Sequence, residues 1–186
     1  MPRLIDSPAC CHHHPGMNEQ TPTLTTIGYE GSLLDDFIAT LEASSVRLLI
    51  DVRQLPISRR KGFAKGALST ALDAAGIGYL HLKGLGDPKP GRDAARSGDH
   101  DLFLKVFSAH MLTFGAQAHL SVAIERAAAG GACLMCYERD HSSCHRKLVA
   151  EAIHAKTAIR IRNLGVRSGL AAANRTPSTS PPNVWA

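Results

Sequence analysis

Residues 132–153, ACLMCYERDHSSCHRKLVAEAI, leave the chain few choices of fold. Ala132 to Tyr137 is a short apolar run of the kind that forms a buried strand, and Glu138 to Ser143 is a polar turn. From Cys144-His145-Arg146 onward, Leu148, Val149, Ala152 and Ile153 recur at helical spacing. In such a strand-to-helix unit, the carboxyl end of the strand and the amino end of the helix lie at one rim of the sheet. That rim is where open α/β folds bind ligands. Between Cys136 and Arg146 it carries two thiols, two carboxylates, two imidazoles and two guanidiniums.

The same alternation runs through the chain. Leu24 to Tyr29 reads as a first strand, with Ser32 as N-cap of a helix bearing Leu33, Leu34, Phe37, Ile38 and Leu41 on one face. Arg47 to Val52 is a second strand, apolar enough to be covered on both sides. A proline-stiffened basic loop, residues 54–63, leads to a helix through Ala67, Leu68, Ala71, Leu72 and Ala75 that stops at Gly76. Gly78 to Leu82 is a third strand. Residues 83–99 are rich in glycine, proline and charge and read as a long functional loop. Two helices, Asp101 to Phe114 and Ala116 to Ala129, precede the organising strand, and Ile159 to Val166 adds a short last one. The expectation is a single small α/β domain over residues 23–166, with a mainly parallel sheet of four or five strands flanked by helices.

Residues 1–22 read as a leader without a fold, and 167–186 as a tail of the same kind. Cys10, Cys11 and His12 to His14 offer soft-metal donors with no apolar periodicity around them to fix a geometry. Met17 offers an alternative start. The apolar fraction of 44% and charged fraction of 20% are those of a soluble globular protein. No apolar run approaches the ~20 residues of a membrane-spanning helix, so a cytoplasmic location without membrane partners is expected. Five cysteines in a reducing compartment give no disulfide framework.

Cys136 and Glu138 share one face of the strand, and Cys133 shares the other with Met135 and Tyr137. Cys133 is packing. Cys144 opens a helix, with Ser142 or Ser143 as cap. The helix dipole and Arg139 and Arg146 should lower its pKa toward the thiolate, while His145 exchanges protons near neutrality. Cys136, Glu138, Cys144 and His145 are therefore the candidate catalytic set. The bland alternative is a pair of small buried residues at a tight turn. Zinc on Cys136, Cys144, His145 and Glu138 or His141 is a third reading, but C-x7-C-H lacks the paired C-x2-C knuckle, so no metal is assigned. No cofactor is assigned either.

Alternation also puts Asp51 and Arg53 on one face at the rim. They are either an ion pair that holds the loop or, with Arg59, Lys61, Arg139 and Arg146, part of an anion site at a helix amino terminus. Net charge is +5, and its distribution over three loops is more telling than its sum. No Walker loop and no G-x-G-x-x-G is present, so a standard nucleotide fold is unsupported. Expected partners are a phosphate-bearing small molecule or nucleic acid. The leading reading is an enzyme, and the competitor is a non-catalytic nucleic-acid-binding protein. The oligomeric state is not legible.

Thr26-Ile27-Gly28-Tyr29-Glu30-Gly31 and Leu49-Ile50-Asp51-Val52-Arg53-x-x-Pro56-x-Ser58-Arg59-Arg60-Lys61-Gly62-Phe63 together resemble the domain-of-unknown-function family 488 of bacteria and archaea. So do Ala75-Gly76-Ile77-x-Tyr79-x-His81-Leu82-x-x-Leu85-Gly86 and Cys136-Tyr137-Glu138-x5-Cys144-His145-Arg146. The resemblance spans Thr25 to Ile153. It implies a small α/β sandwich and no established reaction, and its motif positions add Tyr29, Glu30, Ser58 and His81 to the ligand-binding candidates. Leu49 to Arg53 is also similar to a strand of rhodanese-type sulfurtransferases, with Cys136 where their nucleophile lies. Tyr137-Glu138-Arg139-Asp140 does not match their glycine-containing loop, which counts against persulfide chemistry.

Overall fold

In the computed structural model, which describes residues 22–175, strands and helices alternate as the apolar pattern requires. Strands β1 (Thr23–Gly28), β2 (Leu48–Asp51) and β3 (Gly78–His81) are separated by helices α1 (Leu34–Ala43) and α2 (Lys65–Ala74). A 3-10 turn (Lys83–Leu85) and helices α3 (Lys89–Ser97), α4 (His100–Met111) and α5 (Phe114–Ala128) lead to β4 (Ala132–Cys136). The chain then runs through α6 (His145–Thr157), β5 (Arg160–Leu164) and α7 (Leu170–Arg175).

The five strands form one parallel sheet in the order β3-β2-β4-β1-β5. β4 is the middle strand, and every one of its residues is buried. Its alternation divides the core in two. Cys133 and Met135 pack with Phe37, Leu41, Leu68 and Leu72 of α1 and α2 on one face. Leu134 and Cys136 pack with Phe103, Phe107, Leu120, Val149 and Ile153 of α4, α5 and α6 on the other. From β2 the chain passes outward to its neighbour β3, whereas from β4 it passes the other way, over β1 to β5. The strand order therefore switches between β2 and β4, and the crevice at their carboxyl ends is the place such a sheet leaves for a ligand.

Three local expectations are corrected. Ser32 does not cap α1. Its N–H closes a turn onto the Tyr29 carbonyl at 3.1 Å through Gly31 at φ +75°, and Leu33 takes the cap position without a side-chain bond. Residues 83–99 are not a loop. Pro88 and Pro90 sit at the start of α3, where a missing N–H costs nothing, and Gly98 ends the helix in the left-handed region. The segment after 166 is not all structureless either. Asp36 accepts the N–H groups of Gly169 (2.9 Å) and Ala171 (3.0 Å), and Thr40 accepts that of Arg167 (3.0 Å), fastening α7 to α1. Residues 1–21 of the expected leader, with its Cys10 to His14 cluster, and residues 176–186 lie outside the described residues. Among the described residues, no helix is long and apolar enough to cross a membrane.

Candidate active site

Cys136 ends β4 opposite Gly28 of β1. The turn that follows lies so close to β1 that a Cβ on Gly28 would stand 1.8 Å from the Glu138 carbonyl oxygen, so only glycine fits there. The turn is clasped from beneath by Arg146, which is buried. Its guanidinium donates to the Glu138 carbonyl, to the Arg139 carbonyl at 3.1 Å and to Thr26 Oγ1 at 3.4 Å. From the solvent side, Glu30 accepts the Arg139 N–H at 3.1 Å. These bonds fold the turn back so that Glu138 faces Cys136. The cap of α6 is Cys144 itself, whose Sγ accepts the Arg146 N–H at 3.5 Å. Ser142 is instead bound to Asp140.

The result is a cluster around one carboxylate oxygen. Glu138 Oε2 accepts the thiols of Cys136 at 2.9 Å and Cys144 at 3.0 Å. His145 Nδ1 stands 3.7 Å from the first sulfur and 4.0 Å from the second. Its Nε2 lies 2.9 Å from the Val52 carbonyl. A carbonyl only accepts, so Nε2 carries a proton, and both ring nitrogens lie near Cys136 Sγ, Nε2 at 3.9 Å. Burial opposes the imidazolium, but Cys144, the Val52 carbonyl and Glu138 outweigh it and push His145 up to about 9, above the neutral range expected from sequence. Burial pushes both thiols above their ordinary range, and for Cys144 the neighbouring Cys136 adds to the effect. Burial also pushes the Glu138 carboxyl up, but the two thiols that donate to it outweigh this and hold it below the usual value. The expected depression of the Cys144 pKa is therefore reversed. The Arg146 guanidinium is spent on carbonyls, and desolvation of the thiolate exceeds what the helix terminus returns. On the opposite face Cys133 packs in hydrocarbon, its thiol pushed up to about 12 by burial.

Above the cluster, at the β2/β4 crevice, lies a cavity of about 400 Å³. Cys136, Glu138 and His145 line it, as do Tyr29, Arg53, Ser58 and Arg59. Cys144 stands behind them, joined through Glu138. The remaining candidates serve other ends. Asp51, with no exposed surface, is the counter-ion of Arg53. Arg53 is 5% exposed and has four of its five donors engaged. Nε and Nη2 bind Asp51 at 2.9 and 2.6 Å, and Nη1 binds Tyr29 Oη at 2.8 Å and the Phe63 carbonyl at 3.1 Å. It is a strut of the cavity edge rather than a free anion ligand. His81 binds the Arg53 carbonyl at 2.8 Å, Glu30 and Arg146 brace the turn, and Lys61 and Arg139 are exposed off the cavity wall.

The cavity also takes side chains that were not singled out as ligands. They are Gln54, Arg60, Asp87, Arg92, Arg96 and Tyr137. The usable signal was Pro88-Lys89-Pro90, a helix start, which puts Arg92 and Arg96 four apart on one face. Arg92 is braced by Gln54 Oε1 and the Asp87 carbonyl, and Arg60 by the Ser32 carbonyl at 2.7 Å. Arg59 makes no hydrogen bond or ion pair among the described residues. Asp87 is 5% exposed, its Oδ1 has no partner among the described residues, and burial pushes its carboxyl up to about 6 against the pull of His145 and Arg92.

No curated protein and no solved structure matches the chain. The family model described as domain of unknown function DUF488 matches residues 33–153, from the start of α1 to within α6. That is well over half of the sequence, and the chain belongs to the DUF488 family.

Proposed function

We propose that this DUF488 protein is an enzyme that holds a phosphate-bearing substrate in the β2/β4 crevice and acts on it with the cluster at the crevice floor. One observation carries the reading: a single cavity has Arg59, Arg60, Arg92 and Arg96 on its wall and Cys136, Glu138 and His145 at its base. Guanidiniums recognise phosphate oxygens through charge-assisted, often bidentate bonds, each worth roughly 1.5–3 kcal/mol. Arg92 and Arg60 are held in place by neutral acceptors, so their orientation is set before a ligand arrives. Glu138, held ionised by its thiol donors, is suited to accept a proton. Asp87, pushed up to about 6 by burial, carries the proton to be given only on the acid side of neutrality.

The test is calorimetric titration with pyrophosphate, nucleoside di- and triphosphates and short oligonucleotides. Arg59→Ala with Arg92→Ala should weaken the binding of whichever probe is taken up by tenfold or more. Glu138→Gln should keep affinity and lose turnover. Unchanged affinity in the double arginine variant would sink the reading. Oligonucleotide affinity that falls steeply with salt and ignores Glu138→Gln would favour a non-catalytic nucleic-acid binder instead.

A further inference from the structure

We infer that Cys136, Glu138, Cys144 and His145 bind a zinc ion. The four donor atoms lie within 4.8 Å of one another. A tetrahedral zinc with bonds of about 2.0–2.3 Å keeps its ligands about 3.3–3.8 Å apart. The distances from the two sulfurs to Glu138 Oε2, 2.9 and 3.0 Å, and to His145 Nδ1, 3.7 and 4.0 Å, bracket that spacing. Two sulfurs and an imidazole nitrogen with one carboxylate favour zinc over magnesium or calcium.

The surroundings are those of a metal centre. A ligating imidazole normally donates its other ring N–H to a fixed acceptor, and His145 does so to the Val52 carbonyl. Cys144 Sγ accepts the Arg146 N–H at the α6 amino terminus, a bond that favours a thiolate. The Arg146 guanidinium fixes the backbone on either side of the Glu138–Arg139 peptide. The objection from sequence, that C-x7-C-H is no zinc knuckle, is met by the fold. The close approach at Gly28 and the Arg146 clasp return Glu138 and Cys144 to Cys136 without a knuckle. On binding, the ion displaces one proton from each thiol and the Nδ1 proton of the His145 imidazolium. Two thiolates, one carboxylate and Zn2+ then sum to −1 beside the buried Arg146 cation.

This inference needs only the four donors and does not rest on the phosphate reading, though it refines it. The thiols become ligands rather than nucleophiles. Glu138, the least buried of the four and on the cavity wall, marks where water or a substrate oxygen would reach the ion.

The test is metal analysis of the full chain, grown with zinc and purified without chelator. Because Cys10, Cys11 and His12 to His14 also offer soft-metal donors, the measurement is the difference between wild type and variants. Cys144→Ala and His145→Ala should each lose about one zinc per chain, and Cys133→Ala, on the other sheet face, should lose none. Two readings on the wild type do not depend on the folding of a variant. Cobalt loading should give a thiolate-to-cobalt charge-transfer band with release of at least two protons per ion, and zinc should shield Cys136 and Cys144 from alkylation. Equal zinc in wild type and variants, no thiolate band, or a metal-free Cys136–Cys144 disulfide in the isolated protein overturns the inference. Arginine-dependent binding of pyrophosphate by that metal-free protein would leave the phosphate reading standing on its own.

Discussion

Arg53 is the residue for which position in sequence and position in space argue for opposite outcomes, so its replacement is the sharpest test of the site. Arg53→Ala removes four side-chain hydrogen bonds, two of them to Asp51, which has no exposed surface. Asp51 keeps only the Tyr79 hydroxyl at 2.6 Å and the N–H of residue 53 at 3.0 Å. Stripping one partner from a buried ion pair costs roughly 3–5 kcal/mol, because the remaining charge stays desolvated. For a domain of this size each kcal/mol is worth about 2–4 °C, so the melting temperature should fall by roughly 6–20 °C. The assay is urea unfolding followed by circular dichroism, run beside pyrophosphate titration at a temperature where the variant is folded. Affinity should change little, since Arg59, Arg60, Arg92 and Arg96 remain. The double variant Asp51→Leu with Arg53→Met should recover most of the lost stability, as apolar replacement of a buried pair is often neutral. A loss below about 1 kcal/mol, or a tenfold loss of affinity at unchanged stability, would refute the assignment of Arg53 as a strut and make it the anion ligand.

Gly28→Ala should cost about 3 kcal/mol or more, because its Cβ meets backbone rather than a movable side chain; zinc content should fall with it, whereas Gly66→Ala, with open space, should do neither. Arg146→Leu leaves the carbonyls of Glu138 and Arg139 without their donor, at roughly 1–3 kcal/mol each, and amide exchange through residues 137–143 should quicken while that of β3 stays slow. Asp36 has its carboxyl held below the ordinary 3.8 by the Gly169 and then the Ala171 N–H groups. A depressed pKa gives stability that is present above 3.8 and lost as pH falls through the lower folded value. Protease cleavage near residue 167 should therefore rise only below that range in the wild type, and already at pH 7 in Asp36→Ala. Equal cleavage of the two at pH 7 would remove Asp36 as the fastening of α7.

What the sequence shows and hides divides along physical lines. The β4–α6 unit is legible because an apolar run followed by residues at helical spacing has one economical reading, and Cys133 is legible as packing because alternation assigns its face. The strand order is not, since nothing local says that β4 inserts between β1 and β2; that depends on which apolar faces meet last. Helix α3 was hidden by composition. Two prolines and three glycines between 84 and 91 resemble a loop, yet prolines at a helix start obey the same sterics that would break its middle.

The arginines show the deeper limit. Sequence counts charges, but the fold decides which are already committed. Arg53 and Arg146 stand nearest the motifs and so draw the functional reading. That nearness is also what lets the strand ends and the turn consume their donors on Asp51, Tyr29 and the carbonyls of residues 63, 138 and 139. The cavity's charge belongs instead to Arg59 and to Arg92 and Arg96 of a helix read as a loop, Arg96 in an exposed pair with Asp93 at 3.4 Å. The same reasoning reverses the expectation for Cys144, where a favourable helix terminus is outweighed by burial beside a second thiol. Two buried thiols sharing one carboxylate oxygen are poor nucleophiles and well-placed ligands, and packing alone gives no use for the His145 proton pinned to Val52. The geometry of that one imidazole, more than the presence of the cysteines, is what separates a metal centre from a tight turn.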